Sequence, residues 1–341
     1  MISRKSIVIL IFIPLISQSA FAQELVTSSE EALGWLRKIT NAPRQHNYLG
    51  TFIYYADGHI ETSRIVHMVD QDGEHERIEV LDGLPRIVFR NNDEMKCYLP
   101  EGKKIYTEKR WFRKFFPDLL PQLTNDIDKN YDIKLGKRER VTGYDCQVMT
   151  LIPRDNLRYA HKFWIHSDTG LLLKAAVITG DGIVEQFAFA HLEIDGDINS
   201  ELLKPNQTVL TEEWQTTNLL TSMVNEGELA WQTSKLPAGF KKLVEMKRHL
   251  TEKQILVDHI AISDGLATVS IFIEPITEQS PPPVSGFFSS RGAINIYVRI
   301  LDGNKITTVG EVPLETIKLI GDSVFKQEQL SITNVTKTPK H

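Results

Sequence analysis

Apolar positions change their spacing several times along the chain, and each change predicts an element. From Ser29 to Thr40, Ala32, Leu33, Leu36 and Ile39 recur at three- and four-residue intervals, the period of a helix with one buried face, with Ser28 or Ser29 placed to cap it. The period then falls to two. Tyr48 to Tyr55, Ile60 to Val69, His75 to Leu81, Pro85 to Asn91 and Glu94 to Leu99 are rich in β-branched and aromatic residues. The turn pairs Asp57-Gly58, Asp72-Gly73, Asp82-Gly83 and Asn91-Asn92 part them, which predicts an antiparallel meander. Five more strands are expected at Tyr131 to Arg140, Asp145 to Pro153, Tyr159 to His166, Leu171 to Thr179 and Ile183 to Glu193.

Between the two strand groups, Lys103 to Lys129 breaks the alternation, and within it lies EKRWFRKFFPDLLP, residues 108–121. On a helical wheel Trp111, Phe112, Phe115, Phe116, Leu119 and Leu120 share one half, and Lys109, Arg110, Arg113 and Lys114 fill most of the other. Pro117 removes an N–H and disfavours helix at Phe116, so two short turns are expected rather than one straight helix. Three roles fit this amphipathic segment. It covers the meander with its aromatics in the core, it forms a lid over an apolar cavity with Arg113 and Lys114 on a cationic rim, or it inserts into a membrane surface.

Beyond Leu203 the chain turns polar, and strand periodicity returns near Trp231. Strands are expected at Phe240 to Leu250, Gln254 to Ser263, Leu266 to Glu274, Ala293 to Leu301 and Lys305 to Glu311, then a helix from Pro313 to Val324. The division is therefore a large domain over 23–204, a linker over 205–228, a small domain over 229–326 and a frayed tail over 327–341. Residues 1–22 read as a secretory signal peptide: Arg4 and Lys5, an apolar run from Ser6 to Ile16, and Ala20-Phe21-Ala22 before the expected cut. That run is too short to span a bilayer.

Export changes the meaning of charge and cysteine. Losing Arg4 and Lys5 takes the formal charge from −5 to −7, which argues against nucleic acid as a partner. Cys97 and Cys146 would meet an oxidising compartment, where a disulfide closing a loop of roughly 50 residues would contribute ~4 kcal/mol; two buried thiols are the alternative.

Chemistry is sparse. Asp168-Thr169-Gly170 matches the aspartic-protease tripeptide, but its flanks FWIHS and LLLKAAV make it a hairpin turn, and no second copy supplies the paired carboxylate. No nucleophile elbow, phosphate loop or dinucleotide fingerprint occurs, and the histidines lack metal-ligand spacing. No catalytic residue, metal or cofactor is expected. EPITEQSPPPVSGFFSSRG, residues 274–292, is a proline-stiffened loop followed by Phe287, Phe288 and Arg291, a grouping common at contact surfaces; the two phenylalanines could equally tuck into the small domain's core.

The order of these features resembles the RseB/MucB family of periplasmic regulators of the sigma-E (AlgU) envelope-stress response. The matching segments include EALGWLRKIT, TFIYYADGHIETSRIVH, CYLPEGKKIYTEKR, GYDCQVMTLIPRD, WQTSKLPAGFKKL and RGAINIYVRILDGNKITTVGEVPLETIKLI, spread over nearly the whole mature chain. The resemblance implies an α+β protein: an N-terminal half-open antiparallel β-barrel with a helical lid, similar to the LolA/LolB lipoprotein carriers, and a smaller mixed α/β C-terminal domain. It further implies a periplasmic, non-enzymatic protein that binds the periplasmic segment of an anti-sigma factor of the RseA/MucA type. Binding would shield that segment from site-1 proteolysis, and lipid or lipopolysaccharide would release it. The 108–121 segment then falls where the carrier-like fold is roofed. A lipid or lipoprotein carrier of the LolA type is the alternative function, and a homodimer stays open.

Overall fold

The computed structural model describes residues 29–109, 116–120, 127–205, 213–219, 221–225, 227–250, 255–278, 281–282, 284–289 and 292–327. The amphipathic helix α1 (Ser29–Asn41) comes first, burying Ala32, Leu36 and Ile39 as its period predicts. The strands β1 (Tyr48–Ala56), β2 (His59–Asp70), β3 (Gly73–Val80), β4 (Arg86–Asn91), β5 (Glu94–Leu99) and β6 (Lys104–Lys109) follow. A short helix α2 (Ile127–Asn130) then leads into β7 (Tyr131–Val141), β8 (Tyr144–Pro153), β9 (Ala160–His166), β10 (Leu172–Thr179) and β11 (Gly182–Ile194).

These strands and β12 (Gln215–Asn218) form one twelve-stranded sheet, ordered β12-β6-β5-β4-β3-β2-β1-β11-β10-β9-β8-β7. Because β1 pairs with both β2 and β11, the two predicted meanders join along a single seam. Register shifts at Thr51/Phe52, Leu135/Arg138 and Val177/Ile178 mark bulges, which bend strands and increase twist. The two outermost strands, β12 and β7, do not pair, so the described residues form an open sheet and no closed barrel. On its inner side a core gathers Leu36 and Ile39 of α1 with Tyr48, Phe52, Ile65, Met149, Phe163 and Leu173.

β6 was hidden from the sequence reading, since KIYTEK lies inside the stretch that loses alternation. In the 108–121 segment Glu108 and Lys109 end β6, and the other described residues, 116–120, form a turn entered through a cis Phe116-Pro117 peptide rather than a helix. Trp111, Phe112, Arg113, Lys114 and Phe115 lie outside the described residues, as does the 1–22 leader. The cysteines require a correction. Cys97 in β5 and Cys146 in β8 are both unbridged thiols, carried by strands with seven others between them in the sheet, whereas a disulfide needs Cα atoms within about 7 Å. Burial pushes the Cys146 thiol up to about 11, so it stays protonated.

The second sheet runs β13-β15-β16-β17-β20-β19-β18: β13 (Thr221–Val224), β15 (Lys241–Leu250), β16 (Ile255–Ser263), β17 (Thr268–Pro275), β18 (Gly286–Ser289), β19 (Asn295–Leu301) and β20 (Asn304–Gly310). Helix α3 (Leu314–Asp322), with Pro313 as its N-cap residue, buries Ile317 and Ile320 against Ile260, Ile262, Val269, Ile271 and Ile306. A small ribbon of β14 (Trp231–Thr233) and β21 (Val324–Lys326) closes this core. The stretch at 205–228 adds an edge to each sheet, β12 in parallel to β6 and β13 antiparallel to β15.

Candidate functional site

Alternation places one face of the large sheet around a cavity of about 430 Å³. Seven strands each contribute two residues at i and i+2: Phe52 and Tyr54, Glu61 and Ser63, Ile78 and Val80, Arg86 and Val88, Met95 and Cys97, His161 and Phe163, Glu185 and Phe187. Phe116 and Leu119 complete the wall from the 116–120 turn. The Phe116 ring stacks on Phe187 with centroids 5.5 Å apart and touches Phe52 and Phe189 at 5.4 and 5.0 Å, so it fills part of the concave face and leaves the rest hollow. Leu120 is buried in the same core and does not line the cavity. At its described end the segment thus places Phe116 and Leu120 in the core and Phe116 and Leu119 on the cavity wall.

Polar groups in the wall are few. Arg86 pairs with Glu61 at 3.4 Å, and Glu185 and Glu311 add two further carboxyls. The anticipated cationic rim, Arg113 and Lys114, lies outside the described residues. Among the described residues no group of three or more His, Cys, Asp or Glu is arranged to hold a metal ion.

Two wall residues, Leu266 and Glu311, belong to the small domain, and each sits beside a polar contact that docks the domains. Leu266 follows the β16–β17 turn. It is 4% exposed and belongs to the apolar core of the large domain. Asp264 holds that turn: its Oδ1 accepts the N–H groups of Leu266 at 2.9 Å and Ala267 at 2.8 Å, an Asx arrangement. Its Oδ2 accepts the Tyr131 hydroxyl at 3.0 Å and lies 3.4 Å from the Arg158 guanidinium. Arg158 and Asp264 side chains are both 0% exposed, and Arg158 lies over the rings of Tyr131 and Phe240, so guanidinium, carboxylate and two aromatics from both domains form one buried cluster.

The second contact surrounds Glu185 on β11. Its carboxyl accepts the Ala293 N–H at 3.0 Å, while Asp57 at the β1–β2 turn accepts the Gly292 N–H at 2.7 Å. Gly292 has φ +70°, and a Cβ there would sit 2.6 Å from Glu185 Oε2, so the approach requires glycine. Burial pushes the Glu185 carboxyl up to about 7; the Ala293 N–H opposes this, and the nearby acids Glu311 and Asp57 reinforce it. Side-chain bonds from Asn295 to Tyr159 (3.0 Å) and from Thr316 to the Leu157 carbonyl (2.8 Å) extend the boundary.

At the far edge of the small sheet, Phe287 and Phe288 on β18 are 48% and 40% exposed, and Phe287 packs on Tyr297 at 5.1 Å. Neither joins the small domain's core, and Arg291 lies outside the described residues.

Residues 31–207 match the family model of the MucB/RseB N-terminal domain, and residues 225–325 that of the MucB/RseB C-terminal domain. The chain belongs to the MucB/RseB family. It is 29% identical over 305 residues to the sigma factor AlgU regulatory protein MucB of Pseudomonas aeruginosa, covering 87% of this chain and 92% of that one. To the sigma-E factor regulatory protein RseB of Haemophilus influenzae it is 26% identical over 314 residues, 91% of this chain and 94% of that one. Its fold matches MucB in the Pseudomonas aeruginosa MucA/MucB complex with a TM-score of 0.67 at 26% identity, over 87% of this chain and 99% of that one. A structure of MucB bound to MucA(peri) matches at 0.66 with the same identity and coverage.

Sequence reasoning missed Arg158, Asp264, Leu266 and Glu185. Leu266 opens the expected strand Leu266 to Glu274, and its burial in the other domain has no signature in local periodicity.

Proposed function

We propose that this protein is a periplasmic regulator that binds the periplasmic segment of an anti-sigma factor of the RseA/MucA type and restrains sigma-E-type transcription. The observation that carries this reading is the match over 87% of the chain to MucB in a MucA/MucB complex. The action is steric and non-enzymatic: a bound segment is withheld from the site-1 protease. Phe287 and Phe288 are the proposed anchors on the small domain, with Arg291 beside them, because exposed aromatics on an edge strand offer both apolar surface and unpaired backbone.

The large domain is the lipid-sensing half. A half-open barrel with Phe116, Leu119 and Leu120 at its lid, and Trp111, Phe112, Arg113, Lys114 and Phe115 preceding them, would admit an acyl chain to the cavity and meet an anionic head group at the rim. Lipid or lipopolysaccharide would then release the anti-sigma segment. The apolar cavity also supports a carrier function, but a wall shared with a second domain favours a sensor.

Capture of a tagged anti-sigma periplasmic segment by the parent and by a Phe287→Asp, Phe288→Asp variant tests the reading. The parent should retain the segment and the variant should lose most of it. Equal capture would move the interface elsewhere, and no capture by the parent would reject the partner.

A further inference from the structure

We infer that the β16–β17 turn of the small domain is a built-in stopper for the large domain's cavity, so that a bulky apolar ligand and the docked arrangement of the two domains exclude one another. This rests on the lipid-sensing reading of the cavity and supplies the means by which the small domain would feel its contents. Nearly all of the wall comes from strands of one continuous sheet, whose hydrogen-bonded neighbours fix their positions. Leu266 and Glu311 differ, being carried by a domain with a core of its own. At about 430 Å³ the cavity lies near the small end of ligand sites, which span roughly 300–1,000 Å³. A two-chain lipid therefore needs more room than the docked form offers, and Leu266, with Glu311, is the part of the wall that can leave as a unit.

Withdrawal is not gradual. Leu266 is tied through the Asx turn to Asp264, and Asp264 is tied to Tyr131 and Arg158 across the boundary. Partial retreat would strip the buried Asp264 of Tyr131 and Arg158 before water could replace them and would leave Arg158 with Asp155 at 3.3 Å as its remaining carboxylate, whereas full separation opens the pair to water. Such an arrangement has two states, docked with a stoppered cavity and undocked with an open one. A ligand that fits the open state alone shifts the balance by its preference for that state, and any change that weakens docking raises apparent ligand affinity.

Hydrogen exchange on the full chain, with didecanoyl phosphatidate as the probe and uptake followed in parallel by equilibrium dialysis, tests this. The expected result is uptake accompanied by at least tenfold faster exchange at the Leu266, Ala267, Gly292 and Ala293 amides, while β8 and β9 stay protected. Uptake with unchanged exchange at those amides would overturn the stopper and leave the lipid reading standing; absence of uptake would remove both. Asp264→Asn, with its folding verified by circular dichroism, should take up the probe at least fivefold more tightly than the parent. Equal or weaker uptake by that variant would also overturn the proposal.

Discussion

Asp264 and Glu185 are both carboxyl groups buried where the domains meet, yet their surroundings differ. Asp264 faces a guanidinium, a phenol and two amides, so its charge is met from every side. Glu185 receives one backbone N–H, and the other charged groups named around it, Glu311 and Asp57, share its sign. The first contact suits a permanent charge and fixes geometry. The second favours a neutral carboxyl, because burial outweighs the single N–H it receives.

Breaking the compensated side should have the largest effect. Asp264→Ala removes one of the two carboxylates on buried Arg158, leaving Asp155 at 3.3 Å, together with the Tyr131 bond and the Asx turn, and should cost about 3 kcal/mol, read as a lowered urea midpoint. On the uncompensated side, the carboxyl titrates near 7 when folded against an ordinary 4.5, so the folded protein holds an extra proton between these values. Stability from this group is therefore complete below about 4.5, falls as pH rises through 7, and is level above; the span is on the order of 3 kcal/mol. Glu185→Gln should flatten that part of the stability profile between pH 5 and 8, measured as the difference from the parent. A parallel profile would show that Glu185 is not the group responsible.

Leu266→Ala removes a buried side chain beside an existing hollow and should cost about 2 kcal/mol, at the low end for such truncations, with the thermal midpoint as the readout. Phe287→Ala with Phe288→Ala should cost about 1 kcal/mol, less than the buried sites, since the two residues are 48% and 40% exposed. The same pair should weaken capture of the anti-sigma segment. A large stability loss instead would make these rings structural.

The contrast between the domains' interiors and their boundary also explains what the sequence disclosed. Two-residue alternation places Phe52 with Tyr54 and His161 with Phe163 on one face, and helical spacing places Leu36 and Ile39 of α1 in the core, because these patterns are local. β6 escaped because Lys104 to Lys109 carries too few apolar residues to alternate visibly, yet pairing with β5 and β12 makes it a strand. The cysteines misled for a related reason. Spacing along the chain permits a loop, whereas the tertiary placement of β5 and β8 leaves Cys97 and Cys146 as unbridged thiols. The boundary contacts were the least legible, since Arg158 meets Asp264 and Glu185 meets Ala293 across more than a hundred residues.

The most direct measurement is the affinity of the full chain for the periplasmic segment of an RseA/MucA-type anti-sigma factor, determined with and without saturating didecanoyl phosphatidate. If the domains share one wall and the small domain grips the segment, lipid should weaken that affinity at least tenfold, and Asp264→Asn should shift the lipid dose to lower concentration. An affinity indifferent to lipid would contradict the account.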